Sequence, residues 1–70
     1  MLVKDLDGIM FEKQKVTIRV FDMGEMVDEA IKTSFSYAKR IYGDLEVIGM
    51  FDMLTESGPV IVLYLSFPEP

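Results

Sequence analysis

The chain contains no cysteine, no histidine, no tryptophan and no asparagine, and only one glutamine, Gln14. Without cysteine there is no disulfide framework. Without cysteine or histidine the usual donor sets for zinc, iron–sulfur clusters and other transition metals are missing, and so is the side chain that most often moves protons near neutral pH. The shortage of thermolabile amides is one part of the pattern seen in thermophilic proteins, although six methionines and a charged fraction of 27% point the other way. No apolar run approaches the roughly 20 residues of a membrane helix; the longest is Pro59 to Leu65. The start, Met1-Leu2-Val3-Lys4-Asp5-Leu6-Asp7-Gly8, alternates charged and apolar groups and does not read as a secretory signal, so a cytoplasmic protein is expected.

A further absence is positional. All seven basic residues lie at or before Arg40, where seven acids balance them, so the net charge of −5 falls on Asp44, Glu46, Asp52, Glu56 and Glu69. Such an acidic end disfavours direct nucleic-acid binding, which depends on neutralising phosphates. It suits a basic protein partner, with Asp44, Glu46, Asp52 and Glu56 as the steering carboxylates.

At 70 residues the chain makes one domain with a small core. Residues 1–14 read as an N-terminal arm or short hairpin. Asp7-Gly8 between apolar neighbours signals a tight turn and an extra N-terminal strand, with a loosely ordered arm as the alternative. From Lys15 to Phe21, Val16, Ile18 and Val20 alternate with Thr17, Arg19 and Phe21, the period of a half-buried strand. Met23 to Tyr42 carries an apolar stripe at helical spacing, Val27, Ile31, Phe35, Ala38 and Tyr42. Asp22 and Glu25 are placed to cap that helix, Asp28 and Lys32 to pair along it, and Gly43 to end it in a left-handed turn. Two antiparallel strands follow, Leu45–Leu54 and Val60–Phe67, around Thr55-Glu56-Ser57-Gly58-Pro59, with Gly49 marking a bulge. Residues 68–70 form a proline-rich tail. The expected fold is α+β: a small antiparallel or mixed sheet with a β-α-β-β core and one helix packed on one face. That order over residues 15–67 resembles the dodecins, small flavin-binding oligomers. The resemblance implies assembly; the tryptophan that would stack on a flavin is missing, so no cofactor is assigned.

Functional motifs are sparse. Ser36-Tyr37-Ala38-Lys39 matches a catalytic Ser-x-x-Lys only in spacing. Asp5-Leu6-Asp7-Gly8 echoes a calcium loop without its third acid or distal glutamate, and Asp22, Glu25, Asp28 and Glu29 read as a helix start before they read as a metal site. Neither a catalytic nor a metal-ligating residue is assigned. Tyr37, Tyr42 and Tyr64 have the apolar body and polar tip suited to a ligand contact, with Tyr42 placed in the core. The strongest signal concerns packing. Ile61, Leu63, Leu65 and Phe67 line one face of the last strand and Val60, Val62 and Tyr64 the other, and one helix covers only one face. A homo-oligomer, most simply a dimer, is expected, with Phe21, Val60, Val62 and Tyr64 at the interface. The alternative in which the arm folds over that face ranks second. A small-molecule-binding module with methionine walls (Met26, Met50, Met53) and an acidic inhibitor or nucleic-acid mimic are the other functional classes. An enzyme ranks last.

Overall fold

The computed structural model describes residues 1–68; Glu69 and Pro70, and with them most of the expected tail, lie outside the described residues. Among the described residues four strands, β1 (Lys15–Asp22), β2 (Glu25–Ser34), β3 (Glu46–Thr55) and β4 (Gly58–Ser66), form a sheet with one helix, α1 (Phe35–Tyr42), and a 3₁₀ turn spans Val3–Leu6. The sheet order is β2-β1-β4-β3. Both outer pairs are antiparallel hairpins, and the two hairpins join through a parallel β1–β4 pairing. This is an α+β fold with a mixed sheet and one helix on one face.

The element order is ββαββ, which corrects the sequence reading of Met23–Tyr42 as one helix. Met23 and Gly24 both have positive φ, 53° and 82°, and sit between the paired residues Asp22 and Glu25. Positive φ at both central positions is what a two-residue type I′ hairpin turn requires. Asp22 and Glu25 are therefore strand partners and not a capping box. Val27, Ile31 and Thr33 are β-branched and stiff, and pairing with β1 outweighs their helical spacing. Val27 and Ile31 are consequently exposed rather than part of a buried stripe. The helix begins only at Ser34, whose side chain accepts a hydrogen bond from the Tyr37 N–H at 3.1 Å. At its other end Gly43 is right-handed, not left-handed; a Cβ there would collide with the Lys39 carbonyl. With β2 in place of the first half of the helix, the strand–helix–strand–strand order that resembled dodecins is gone.

The core lies on one side of the sheet. Val16, Ile18 and Val20 of β1 and Leu63 and Leu65 of β4 meet Phe35, Ala38 and Tyr42 of α1, together with Val3 and Leu6. The N-terminal segment therefore packs beside α1 on the helix face and does not form the extra strand. Its backbone is tied in by Val3 N–H to Leu45 O (3.0 Å), Lys4 N–H to Gly43 O (3.0 Å) and Val47 N–H to Met1 O (2.8 Å). The molecule is 16 Å across its thinnest dimension, room for the sheet and one covering layer.

Two measurements check this account. Met23→Asn should stabilise the fold by up to about 1 kcal/mol in denaturant titrations, because asparagine tolerates the left-handed region better than methionine; a helix through this position would give the opposite sign. Leu6→Ala should cost about 2–5 kcal/mol, the range for truncating a buried leucine; a loss near zero would mean that the segment is only loosely laid on.

Candidate functional site: the uncovered sheet face

The side of the sheet opposite α1 carries Thr17, Arg19 and Phe21 of β1 and Val60, Val62, Tyr64 and Ser66 of β4. The strand register adds Phe51 and Met53 of β3, which face Val62 and Val60. Phe21, Tyr64 and Phe51 form an aromatic run across three strands, with ring centroids 5.1 Å and 5.0 Å apart in tilted and edge-on geometries. The run owes its shape to Gly49. The ladder shifts by one residue between Val47 and Gly49, and a Cβ on Gly49 would come within 3.1 Å of the Phe51 ring. The absent side chain leaves room for that ring beside Tyr64, while Ile48, the extra residue, turns outward.

Arg19 anchors the polar edge of the run. Its Nε donates to Glu29 Oε2 at 3.1 Å, its Nη1 donates to the Tyr64 hydroxyl at 3.3 Å, and its guanidinium lies 5.9 Å from the Tyr64 ring centroid. The hydrogen bond to Tyr64 is the main cause that raises the Arg19 pKa above its ordinary value; burial opposes it, and the Glu29 carboxylate adds a smaller upward push, so the charge persists at any working pH. Beside the run lies a shallow depression of ≈ 360 Å³ walled by Phe21, Met23, Gly24, Ile48, Tyr64 and Ser66.

Of the residues placed at an interface by sequence pattern, Phe21 and Tyr64 are half-buried. Val60 and Val62 are already inaccessible within the single chain, Val62 at 5% exposure. They are not beneath the N-terminal segment, which lies on the other side, and they stand outside the main core cluster. Val62 is flanked by Thr17 and Phe51 in the ladder, and neighbouring side chains of its own face shelter it. The exposed apolar surface here is instead Phe51, Met53, Met26 and Ile48. Sequence pattern places Phe51 and Ile48 on opposite faces of a two-sided apolar strand without saying which face meets the helix; the bulge at Gly49 decides it, because it reverses the facing of the residues before it relative to those after it.

The steering carboxylates divide in two. Asp44 accepts from Lys4 at 3.1 Å and Glu46 from the Met1 ammonium at 2.9 Å, so folding returns bases to an end of the chain that lacks them. Asp52 and Glu56 are exposed and, among the described residues, have no ion-pair partner within the chain. Elsewhere the acids have structural duties. Asp7 and Glu12 both approach Lys39, Asp5 accepts from the Leu2 N–H, and Asp28 accepts from the Tyr42 hydroxyl at 2.9 Å. Among the described residues no three carboxylates converge on a common point. Ser36 is exposed, and its spacing partner Lys39 is held by Asp7 and Glu12.

No family profile matches the chain, and neither the curated proteins nor the solved structures include one significantly similar to it.

Burial, reinforced by the bond to Asp28, pushes the Tyr42 pKa up to about 12. A phenol whose folded pKa exceeds its unfolded value of about 10 adds stability that is complete below pH 10 and lost as pH rises towards 12. Alkaline denaturant titrations should show that decline and Tyr42→Phe should flatten it; an unchanged slope in the variant would assign the decline to other groups.

Proposed function

We propose that this chain is a small non-enzymatic protein that acts by association, and that it assembles with copies of itself through the uncovered sheet face. The observation that carries the reading is the aromatic run Phe21–Tyr64–Phe51 with exposed Met26, Met53 and Ile48 around it, on a sheet that among the described residues is covered on the opposite side alone. Contiguous apolar surface of this kind marks interaction sites, and aromatic residues, methionine and arginine are the types enriched in them. Self-association is the commonest way for a small soluble domain to cover such a face. Of the four late carboxylates Asp44, Glu46, Asp52 and Glu56, Asp52 and Glu56 have no intrachain cation among the described residues and would attract a basic partner, an effect that weakens as salt rises.

A second reading, a small-molecule binder, draws on the depression between Phe21, Ile48 and Tyr64. Its apolar walls beside the Arg19–Tyr64 pair suit a flat apolar ligand with one acceptor group.

Sedimentation mass measured against protein and salt concentration should show more than one chain per particle. Tyr64→Lys, which sets a cation beside Arg19, should return the particle to a single chain. Met26→Lys, at a half-exposed position with little bearing on folding, should weaken assembly in the same direction. A wild-type mass of one chain at every concentration would overturn the reading.

A further inference from the structure

The two edges of the sheet differ. The β2 edge is obstructed: its ladder with β1 is irregular in two places, Lys32 has φ of 52°, and Glu25, Asp28, Glu29 and Lys32 are all exposed. An edge backbone donor is also taken by a side chain, since Glu29 N–H donates to Asp28 Oδ1 at 2.8 Å. These are the devices by which natural sheets prevent pairing with a neighbour. The β3 edge has them only at its start. There the chain's own N-terminal segment pairs with it, through Val3 N–H to Leu45 O and Val47 N–H to Met1 O, and then turns away. Beyond Val47 the edge from Ile48 to Thr55 carries a single charge, Asp52.

The direction of the free backbone groups follows from the register. Val47 uses its N–H outward and sits opposite Leu65, so this pair exchanges no hydrogen bonds with β4. Pairs two residues apart along β4 are of the same kind, which makes Met50 opposite Leu63, Asp52 opposite Ile61 and Leu54 opposite Pro59 outward-facing as well. Pro59, with no N–H to give, fits that position. The outer edge thus offers the amides and carbonyls of Met50, Asp52 and Leu54 as a row that is unpaired among the described residues.

We infer that this row pairs antiparallel with the same row of a second copy, about a two-fold axis at Phe51, joining two sheets into one of eight strands. The inference goes beyond the face-mediated association above and rests on different groups. In this register Met50 exchanges backbone hydrogen bonds with the second copy's Asp52, and Gly49 faces the second copy's Met53. The two Phe51 rings, each 53% exposed in the single chain, meet on the uncovered face. Charge selects the register. A two-fold at Asp52 would oppose two carboxylates, and one at Met53 would run the pairing out of the strand at Thr55. Pairing β3 with β2 of another copy would set Asp52 among Asp28 and Glu29 and would generate an open array instead of a closed dimer.

The absence of cysteine makes the test direct. Across a non-hydrogen-bonded antiparallel pair the Cα atoms lie about 4.5 Å apart, within disulfide reach. In dilute solution under mild oxidation, Phe51→Cys should therefore crosslink to a dimer on the order of tenfold faster than Glu25→Cys on the opposite edge or Met53→Cys two residues along. Asp52→Pro, which removes one outward N–H, should abolish the edge dimer; if it also unfolds the chain, the crosslinking comparison stands without it. Phe51→Cys crosslinking in a Tyr64→Lys background would show that the edge pairs independently of the face. Equal rates for the three cysteine variants would overturn the edge proposal, and a wild-type mass above one chain in that case would leave the face reading standing.

Discussion

Phe35, Val3 and Leu6 all press on the same side of the sheet, against Val16, Ile18, Leu63 and Leu65, and this shared burial is the constraint on which the rest of the molecule depends. A helix as short as α1 is marginal by itself in water, and its stability must come from the apolar face it buries. The N-terminal segment widens the cover that the helix begins, and its backbone bonds to Leu45, Gly43 and Val47 hold the helix exit and the start of β3 together. Because both covering elements go to one side, the other side keeps its aromatic run in the open. The uncovered face is thus a consequence of how a 70-residue chain spends its few covering residues.

The same packing redistributes charge. Along the chain the bases are early and the excess acid is late, yet Lys4 lies against Asp44 and the N-terminal ammonium against Glu46, because the first residues cross over the start of β3. Surface pairs of this kind contribute little to stability. Their larger effect is on the electrostatic surface: of the four late carboxylates Asp44, Glu46, Asp52 and Glu56, only Asp52 and Glu56, at the β3 edge and its turn, are left without an intrachain cation among the described residues.

Strand patterning was legible where the period was unambiguous. The alternation in β1, the two-faced apolar pattern of β4 and the bulge at Gly49 could all be read from residue order. The stretch from Met23 to Ser34 could not, because its apolar residues fall at helical spacing while its β-branched residues and the Met23-Gly24 pair favour a hairpin. Tertiary pairing with β1 decides between them. The make-up of the uncovered sheet face was half legible. Phe21, Tyr64, Val60 and Val62 all lie on that face, but Val60 and Val62 are already buried within the single chain, and the facing of Phe51 and Ile48 is set by the bulge.

By itself the sequence determined what depends on local order and on chemistry: the strand periods of β1 and β4, the bulge at Gly49, and the lack of disulfides and of cysteine or histidine ligands. Only the tertiary structure decided which face the N-terminal segment covers, which carboxylates are neutralised and which sheet edge is left unguarded. These depend on contacts between residues far apart in the chain, such as Lys4 with Asp44 and Leu2 with Glu46. A side chain's period says that it is to be buried or exposed; it does not say by what, because that depends on where the chain returns.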